Sequence, residues 1–160
     1  MNIRVGQGFD AHRFTQEKKN IWLGGVEIPH DQGLEGHSDA DALTHSICDA
    51  LLGALALGDI GSHFSDTDPQ YKNKNSLFFL EKVLSLVTNK GWTVSNIDST
   101  VITEKPMLRP YIEKIQESLS KTCNLEKDQV SIKATRPEKM GALGRHEGLV
   151  TLANVLIYKK

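Results

Sequence analysis

The feature that most constrains the fold is a strand-like segment, residues 3–14, in which distinctive residues recur at every second position. Asp10 and His12 are two residues apart, so their side chains point to the same face if the segment is extended. Gly6 and Gly8 precede them and would let another backbone or a ligand come close. The segment therefore predicts a strand that presents a carboxylate and an imidazole together.

A helix that Ser38 or Asp39 can cap, running to about residue 57, offers a second imidazole, His45. Asp41, His45 and Asp49 are spaced i, i+4 and i+8, which places them along one stripe. His45 could bind a metal through one ring nitrogen while a neighbouring carboxylate holds the other.

Asp10, His12 and His45 can hold a zinc ion and leave its fourth position open, as catalytic zinc sites do. A structural zinc site is disfavoured, because the two cysteines are 75 positions apart and form no CxxC pair. Taken alone, the same three residues also fit a strand end, a surface histidine and a solvated helix face.

The 160 residues predict a single domain, residues 1–160, and 19 basic and 20 acidic residues give a net charge of -1. Such a balance excludes a broad electrostatic surface for nucleic acid or an anionic membrane. The sequence has no long apolar run, so we expect a cytoplasmic protein with reduced thiols. The chain is small for an enzyme that builds a whole site alone, which makes a site shared between subunits plausible.

The pattern predicts an α+β fold in the order ββααβαββ, with a mixed sheet and helices layered mostly on one face. We expect the first two strands, 3–14 and 21–28, to form a hairpin-like pair. A polar loop, 58–69, has the composition of a binding loop. A dimer or trimer would cover the bare face of the sheet. The remaining predicted elements are helices 76–90 and 110–122 and strands 92–103, 129–135 and 148–158.

Two further segments could carry chemistry. In residues 133–145, Arg136 and Arg145 could hold phosphate oxygens and Glu138 could bind Mg²⁺, although a polar turn fits equally well. In residues 103–110, two prolines pin a stretch that could read a flat heterocycle through its main chain or serve as a stiff connector.

Taken together, these segments resemble the 2-C-methyl-D-erythritol 2,4-cyclodiphosphate synthases of the non-mevalonate isoprenoid pathway. The resemblance runs from Arg4 to the last strand. Its motifs lie in residues 6–12, 23–29, 37–45, 49–54 and 57–61, in Phe64 with 66–69, and in 133–145.

The resemblance implies a homotrimer with sheets facing the threefold axis and three active sites at subunit interfaces. It implies a phosphorus–oxygen lyase that converts 4-diphosphocytidyl-2-C-methyl-D-erythritol 2-phosphate to 2-C-methyl-D-erythritol 2,4-cyclodiphosphate and CMP. Asp10, His12 and His45 would bind Zn²⁺, and Glu138 would bind Mg²⁺ or Mn²⁺ at the diphosphate. Two cations would neutralise the β-phosphate and hold it in line with the attacking 2-phosphate.

By the same resemblance, His37 stabilises the transition state, residues 59–61 and 64–68 surround the methylerythritol phosphate, and residues 103–109 bind cytidine, typically from a neighbouring subunit. The implied substrate contacts are Asp10, Ala11, His12, His37, Ser38, Asp59, Ile60, Gly61, Phe64, Ser65, Asp66, Thr67, Asp68, Thr103, Glu104, Lys105, Pro106, Met107, Leu108, Arg109, Thr135, Arg136, Pro137, Glu138, Ala142 and Arg145.

The chain departs from the family pattern at Arg136-Pro137, where members often carry two threonines, the first of them catalytic. Arg136 is therefore a catalytic candidate that would replace hydroxyl donation with charge, or a residue that only borders the site. Met107, Ala142 and His146 also differ from frequent residues. Two rival functions are a zinc-dependent phosphohydrolase, which would activate water, and a non-catalytic trimer that binds a nucleotide diphosphate.

Overall fold

A computed structural model describes residues 2–36, 38–65, 68–71 and 74–159. Its strands and helices follow the predicted order, with one additional strand and two additional short helices. The strands are β1 (Asn2–Arg13), β2 (Ile21–Leu23), β3 (Val26–Ile28), β4 (Thr93–Ile102), β5 (Val130–Thr135) and β6 (Gly148–Lys159). The helices are α1 (Ala42–Ala54), α2 (Ile60–His63), α3 (Ser76–Asn89), α4 (Ile112–Cys123) and α5 (Gly141–Gly144).

A four-stranded mixed sheet forms the centre of the fold, in the order β1-β6-β4-β5. β6 is antiparallel to both β1 and β4, and β4 is parallel to β5. Strands β1, β4 and β5 therefore run in the same direction, and their carboxyl ends meet at one end of the sheet. Three of the predicted segments, residues 10–12, 103–109 and 133–145, close or follow these three strands, so the topology collects them at that end.

The helices cover one face of the sheet, as the sequence predicts. α1 packs on β1 and β6, α4 packs on β5, and α3 packs against α1. Among the described residues, the core contains 33 buried apolar side chains, including Ile47, Leu51, Leu149 and Val155. At about 25 cal/mol per Å² of apolar surface removed from water, this layer of contacts is the main stabilising contribution to the fold.

The predicted hairpin between β1 and residues 21–28 is wrong. β1 pairs with β6 over its whole length, from Asn2 opposite Lys159 to Arg13 opposite Gly148. Residues 21–28 fold on themselves into the short hairpin β2-β3, because Gly24 and Gly25 turn the chain with φ angles of 61° and 72°. Glycine adopts this left-handed region without steric cost.

The helix expected between residues 38 or 39 and 57 is shorter than predicted, and Asp41 caps it instead of Ser38 or Asp39. The Asp41 carboxylate accepts the Thr44 N–H at 2.9 Å, and α1 ends at Ala54. The predicted loop 58–69 contains α2, capped by Asp59.

In the described residues, no helix is long and apolar enough to cross a membrane.

The opposite face of the sheet is bare in this chain and partly apolar. Val5 and Phe9 of β1 are 67% and 56% exposed. Their partners across the ladder, Leu156 and Leu152 of β6, are partly exposed. This face becomes more polar towards β4 and β5, where Asp98 and Lys133 form an ion pair of 2.6 Å.

Candidate metal centre and adjoining cleft

Three side chains from distant parts of the sequence meet at the end of β1. Asp10 Oδ2 lies 3.0 Å from His12 Nε2 and 3.2 Å from His45 Nδ1. One possible ligand atom from each of these residues lies within 4.8 Å of the other two. This arrangement confirms the predicted convergence, and a set of one carboxylate and two imidazoles suits zinc and related cations.

Close backbone packing holds the two halves of the cluster together. A Cβ atom on Gly8 would lie 1.9 Å from Ser46 O, and one on Gly6 would lie 1.8 Å from Ala50 O. Both glycines therefore allow α1 to rest directly on β1, as the sequence predicts. The Thr151 hydroxyl adds a link by donating to Ala42 O at 2.8 Å. The direct contact between the β1 and α1 backbones thus sets the positions of Asp10 and His45.

Asp41 fixes the first turn of α1 and is fully buried. Its carboxylate accepts the Gly24 and Gly25 N–H groups at 2.9 and 2.7 Å, besides the Thr44 N–H and hydroxyl. The Ser76 hydroxyl donates to it at 2.8 Å. Hydrogen bonds of this number make burial of a carboxylate tolerable. The β2-β3 turn and the starts of α1 and α3 are thereby joined next to His45.

The imidazole of His12 has a defined orientation. Its Nδ1–H donates to Glu35 O, which leaves Nε2 directed at Asp10. Burial lowers the pKa of His12, but the hydrogen bond and negative charge of Asp10 outweigh burial and raise it above the usual value. Burial raises the pKa of Asp10, and the hydrogen bonds of His12 and His45 outweigh that effect and lower it. The cluster is therefore an ion-paired group poised to exchange protons for a cation.

The second nitrogen of His45 meets a hydroxyl. Its Nε2 lies 3.4 Å from Ser38 Oγ. The prediction that a carboxylate on the same helical stripe holds this nitrogen is wrong, because Asp41 caps α1 and Asp49 accepts the Ile60 N–H. Burial, followed by the charges of Asp59 and Asp10, raises the pKa of Asp49. Ser38, predicted as a substrate contact, therefore lies against a candidate metal ligand.

A cleft of about 720 Å³ opens beside the carboxyl ends of β4 and β5. Its walls are residues 103–109 and 132–136, together with Ile112. The cleft contains the whole predicted cytidine loop as well as Thr135 and Arg136. Sequence analysis assigned these two segments separate roles, and the structure brings them together.

Residues inside this wall organise one another. Thr103 is buried, its N–H donates to Thr135 O at 3.1 Å, and its hydroxyl donates to Lys105 O. Glu104 Oε1 accepts the Lys139 N–H at 2.6 Å. Met107 is 72% exposed and is available to a ligand in the cleft.

Glu138 lies apart from the three-residue cluster. It is exposed, with a φ of 53°, in a turn that Glu104 holds through Lys139. In the described part of the chain, the group of possible metal ligands contains Asp10, His12 and His45 and does not include Glu138. Arg136 is also exposed, and Arg145 pairs with Glu147 at 2.7 Å.

The segment predicted to surround methylerythritol phosphate is built around α2. The Asp59 carboxylate accepts the Ser62 N–H and hydroxyl at 2.8 and 2.6 Å. The Phe64 ring packs on Tyr71 and Phe79. The predicted site residues His37, Asp66 and Thr67 lie outside the described residues.

The metal cluster and the cleft lie at opposite edges of the sheet. Asp10 is opposite Thr151, Thr151 is opposite Val101, and Val101 is opposite Ala134 in the cleft wall. Three strand spacings correspond to roughly 14 Å between the Asp10 and Ala134 backbones. Three further predicted substrate contacts lie near these two places. Ala11 donates its N–H to Asp10 Oδ1, and Pro137 and Ala142 lie in the chain segment between β5 and β6.

Sequence reasoning did not single out Glu35 or Thr151 as contributors to this site. Glu35 acts through its carbonyl oxygen, so no side-chain pattern could indicate it. Thr151 carries a hydroxyl among the otherwise apolar buried positions of β6, and this interruption was the available signal. Asp41 was noted only for its spacing from His45.

Residues 3–158, which include the candidate metal centre and the cleft, match the model of the YgbB family. The chain belongs to the YgbB family. A relative from Syntrophomonas wolfei, named 2-C-methyl-D-erythritol 2,4-cyclodiphosphate synthase, is 53% identical over 155 residues, which cover 97% of this chain and 98% of the relative.

Solved structures agree with this family membership. The bifunctional IspDF of Campylobacter jejuni is 39% identical with a TM-score of 0.94; the match covers 99% of this chain and 43% of that longer protein. A CDP complex of IspF from Plasmodium falciparum is 34% identical with a TM-score of 0.87, covering 99% of this chain and 97% of that one. The mixed sheet with helices on one face is therefore the YgbB family fold.

Proposed function

We propose that this protein is a cyclodiphosphate synthase of isoprenoid biosynthesis. It cyclises 4-diphosphocytidyl-2-C-methyl-D-erythritol 2-phosphate to 2-C-methyl-D-erythritol 2,4-cyclodiphosphate and releases CMP. The observation that carries this proposal is the three-ligand cluster Asp10, His12 and His45 in a chain of this family. Names of close relatives support the substrate, and the CDP complex of a structural neighbour supports a nucleotide ligand.

Asp10, His12 and His45 would hold Zn²⁺ through one oxygen and two nitrogens. When bound there with a vacant fourth position, the ion supplies positive charge to a phosphate oxygen. His12 keeps its orientation through Glu35 O, and His45 through the Ser38 hydroxyl and the packing of α1 on Gly8. These contacts fix the ligands before substrate arrives, which is the main protein contribution to such a reaction.

Glu138 would bind Mg²⁺ or Mn²⁺ with substrate phosphate oxygens completing the coordination. A single exposed carboxylate fits Mg²⁺, which usually retains waters and binds phosphates alongside one or two protein ligands. Arg136, in the wall of the cleft, would contact phosphate, and the main chain of residues 103–109 would read the cytosine ring. His37 would stabilise the transition state.

The active site would be shared between chains of a homotrimer. Two observations support this arrangement: the metal cluster and the cleft occupy opposite sheet edges, and the face with Val5 and Phe9 is bare and apolar. Three sheets facing a common axis would cover that face and bring the β1 edge of one chain to the β5 edge of the next. Each trimer would then contain three sites.

Release of CMP from the diphosphocytidyl substrate, with and without a chelator, tests the reaction. We expect release with zinc and a divalent cation, and no release after chelation. Wild-type protein that holds zinc but releases no CMP would contradict the proposed function.

Subunit mixing tests the shared site. One chain carries His45→Ala, and the other carries Ala134→Trp, whose indole would fill the cleft. Each homotrimer should be inactive, whereas mixed trimers should recover part of the activity, since some interfaces combine two intact halves. No recovery after verified exchange of subunits would argue for a site within one chain.

A further inference from the structure

Asp49 connects the helix that carries a metal ligand to the segment that begins α2. Its Oδ1 accepts the Ile60 N–H at 2.7 Å. Asp49 follows His45 by four residues on α1, so the two side chains lie on the same helical face, about 6 Å apart along the axis. The hydrogen bond therefore holds the backbone of residue 60 one turn from a metal ligand.

The other hydrogen bonds of α2 are local. Asp59 accepts from Ser62, and His63 Nε2 donates to Leu57 O at 2.9 Å. Among the hydrogen bonds of the described residues, the Asp49 bond is the one that ties α2 to α1. Loss of this bond would leave α2 internally ordered and packed through Ile60 and Phe64, and would remove the polar link that fixes its distance from the metal centre.

The surroundings of Asp49 disfavour its charged form, which is unusual for a residue with a purely structural role. Asp49 is half-buried, and the charges of Asp59 and Asp10 oppose its own charge, whereas the charge of His45 favours it. Burial and like charges make a carboxylate costly at this position, as they commonly do at functional sites. The Ile60 N–H offsets part of this cost by favouring the charged form of Asp49.

We propose that Asp49 is a positioning residue for the cyclisation, acting through the Ile60 N–H. It sets the separation between the metal centre and residues 59–61, the segment that binds the methylerythritol phosphate end of the substrate. The inference rests on the proposed function for the identity of that substrate. Asp49 does not itself contact the reacting atoms.

Two substitutions separate the hydrogen bond from the charge. Asp49→Asn keeps an oxygen that can accept from Ile60, and Asp49→Leu removes the acceptor at similar volume. We expect Asp49→Leu to raise KM for the diphosphocytidyl substrate about tenfold, the effect of a hydrogen bond to a charged group. We expect Asp49→Asn to stay within about threefold of wild type on the same grounds.

The Kd for CDP distinguishes a positioning role from a general structural defect, because a general defect would weaken CDP binding as well. CDP lacks the methylerythritol phosphate, so its Kd should be unchanged in both variants, and zinc content should also be unchanged. Gln129→Leu is the matched control, because Gln129 links Glu126 N and Ser95 O near the start of β5, away from the cleft. It should lower the thermal midpoint and leave KM unaltered.

A wild-type KM in Asp49→Leu, or equal weakening of substrate and CDP, would overturn the inference. Equal KM increases in the Asn and Leu variants would also overturn it, since the charge and not the hydrogen bond would then matter. Failure of the proposed function has a different signature, namely no CMP release by the wild-type protein.

Discussion

Gly8→Ala tests whether main-chain packing builds the metal centre. The added methyl group would lie 1.9 Å from Ser46 O, and the Ala50 N atom is 2.8 Å from the same point. Both atoms belong to the α1 backbone, so no side chain can rotate away to make room. The strand and helix must separate, and Asp10 and His45 are carried by these two elements.

The size of the effect follows from the contact distance. Carbon and oxygen atoms in close contact are usually about 3.3 Å apart. At a starting distance of 1.9 Å, the new methyl group and the Ser46 oxygen must therefore move apart by roughly 1.4 Å. Overpacking of this kind costs about 3 kcal/mol. For a chain of 160 residues, each kcal/mol lowers the thermal midpoint by about 2–4 °C. We therefore expect a decrease of about 6–12 °C.

The same separation should weaken metal binding. Metal–ligand distances in proteins stay within about 0.2 Å of their preferred values. A displacement several times larger should lower zinc affinity at least tenfold, in the range found when orienting groups around a metal are lost. Competition with a chelator of known zinc affinity measures this change, and circular dichroism measures the thermal midpoint.

Gly53→Ala is the matched control within α1. A Cβ atom there would meet only Gln7 O, at 3.8 Å. Alanine in a helix is more stable than glycine by about 0.5–1 kcal/mol, so the control should keep zinc affinity and gain slight stability. Gly8→Ala with wild-type stability and zinc affinity would refute the proposal that direct packing of α1 on β1 positions the ligands.

Four further predictions follow from the site. His45→Ala should abolish CMP release and reduce zinc content, measured by atomic absorption, while the oligomeric state stays that of the wild-type protein; wild-type zinc content would refute the ligand assignment. Asp41→Ala should lower the free energy of unfolding in urea by at least about 3 kcal/mol, because it leaves several buried donors unpaired. Arg136→Thr should reduce the ratio of CDP to CMP affinity in titration calorimetry, and an unchanged ratio would show that Arg136 does not touch the β-phosphate. Burial raises the pKa of Cys48 and raises that of Cys123 to about 12, so at pH 8 both thiols should react with dithionitrobenzoate only after unfolding.

The sequence predicted those parts of the fold in which the spacing of residues along the chain fits only one secondary structure. A two-residue period in β1 placed Gly6, Gly8, Asp10 and His12 on one face, and the structure confirms that face against α1. Apolar residues at helical spacing (Leu77, Leu80, Leu84 and Val87), followed by Gly91, predicted the limits of α3 to within one residue. In each case local geometry and burial favour the same arrangement.

Strand pairing was beyond the same reasoning. The segment 21–28 has the apolar composition of a single strand, and proximity along the chain favoured pairing with β1. Gly24 and Gly25 at its centre instead form a turn, whose N–H groups are bound by Asp41 from a distant part of the chain. The residue that stabilises this turn lies 16 or 17 positions away. A pattern within one segment cannot contain that information.

The two proposed cation sites differ in how much of each the folded chain prepares. Asp10, His12 and His45 converge through backbone packing and hydrogen bonds that exist without substrate, so a cation of suitable size meets three ligands at once. Glu138 is exposed in a turn that the Met140 N–H closes by donating to Pro137 O and that Glu104 holds through the Lys139 N–H, and the group of possible metal ligands in the described residues does not include it. A cation there would depend on substrate phosphates for most of its ligands, and its affinity should rise with substrate. Because binding free energies are reciprocal, the same cation should tighten substrate binding by the same factor, whereas zinc should bind in the absence of substrate.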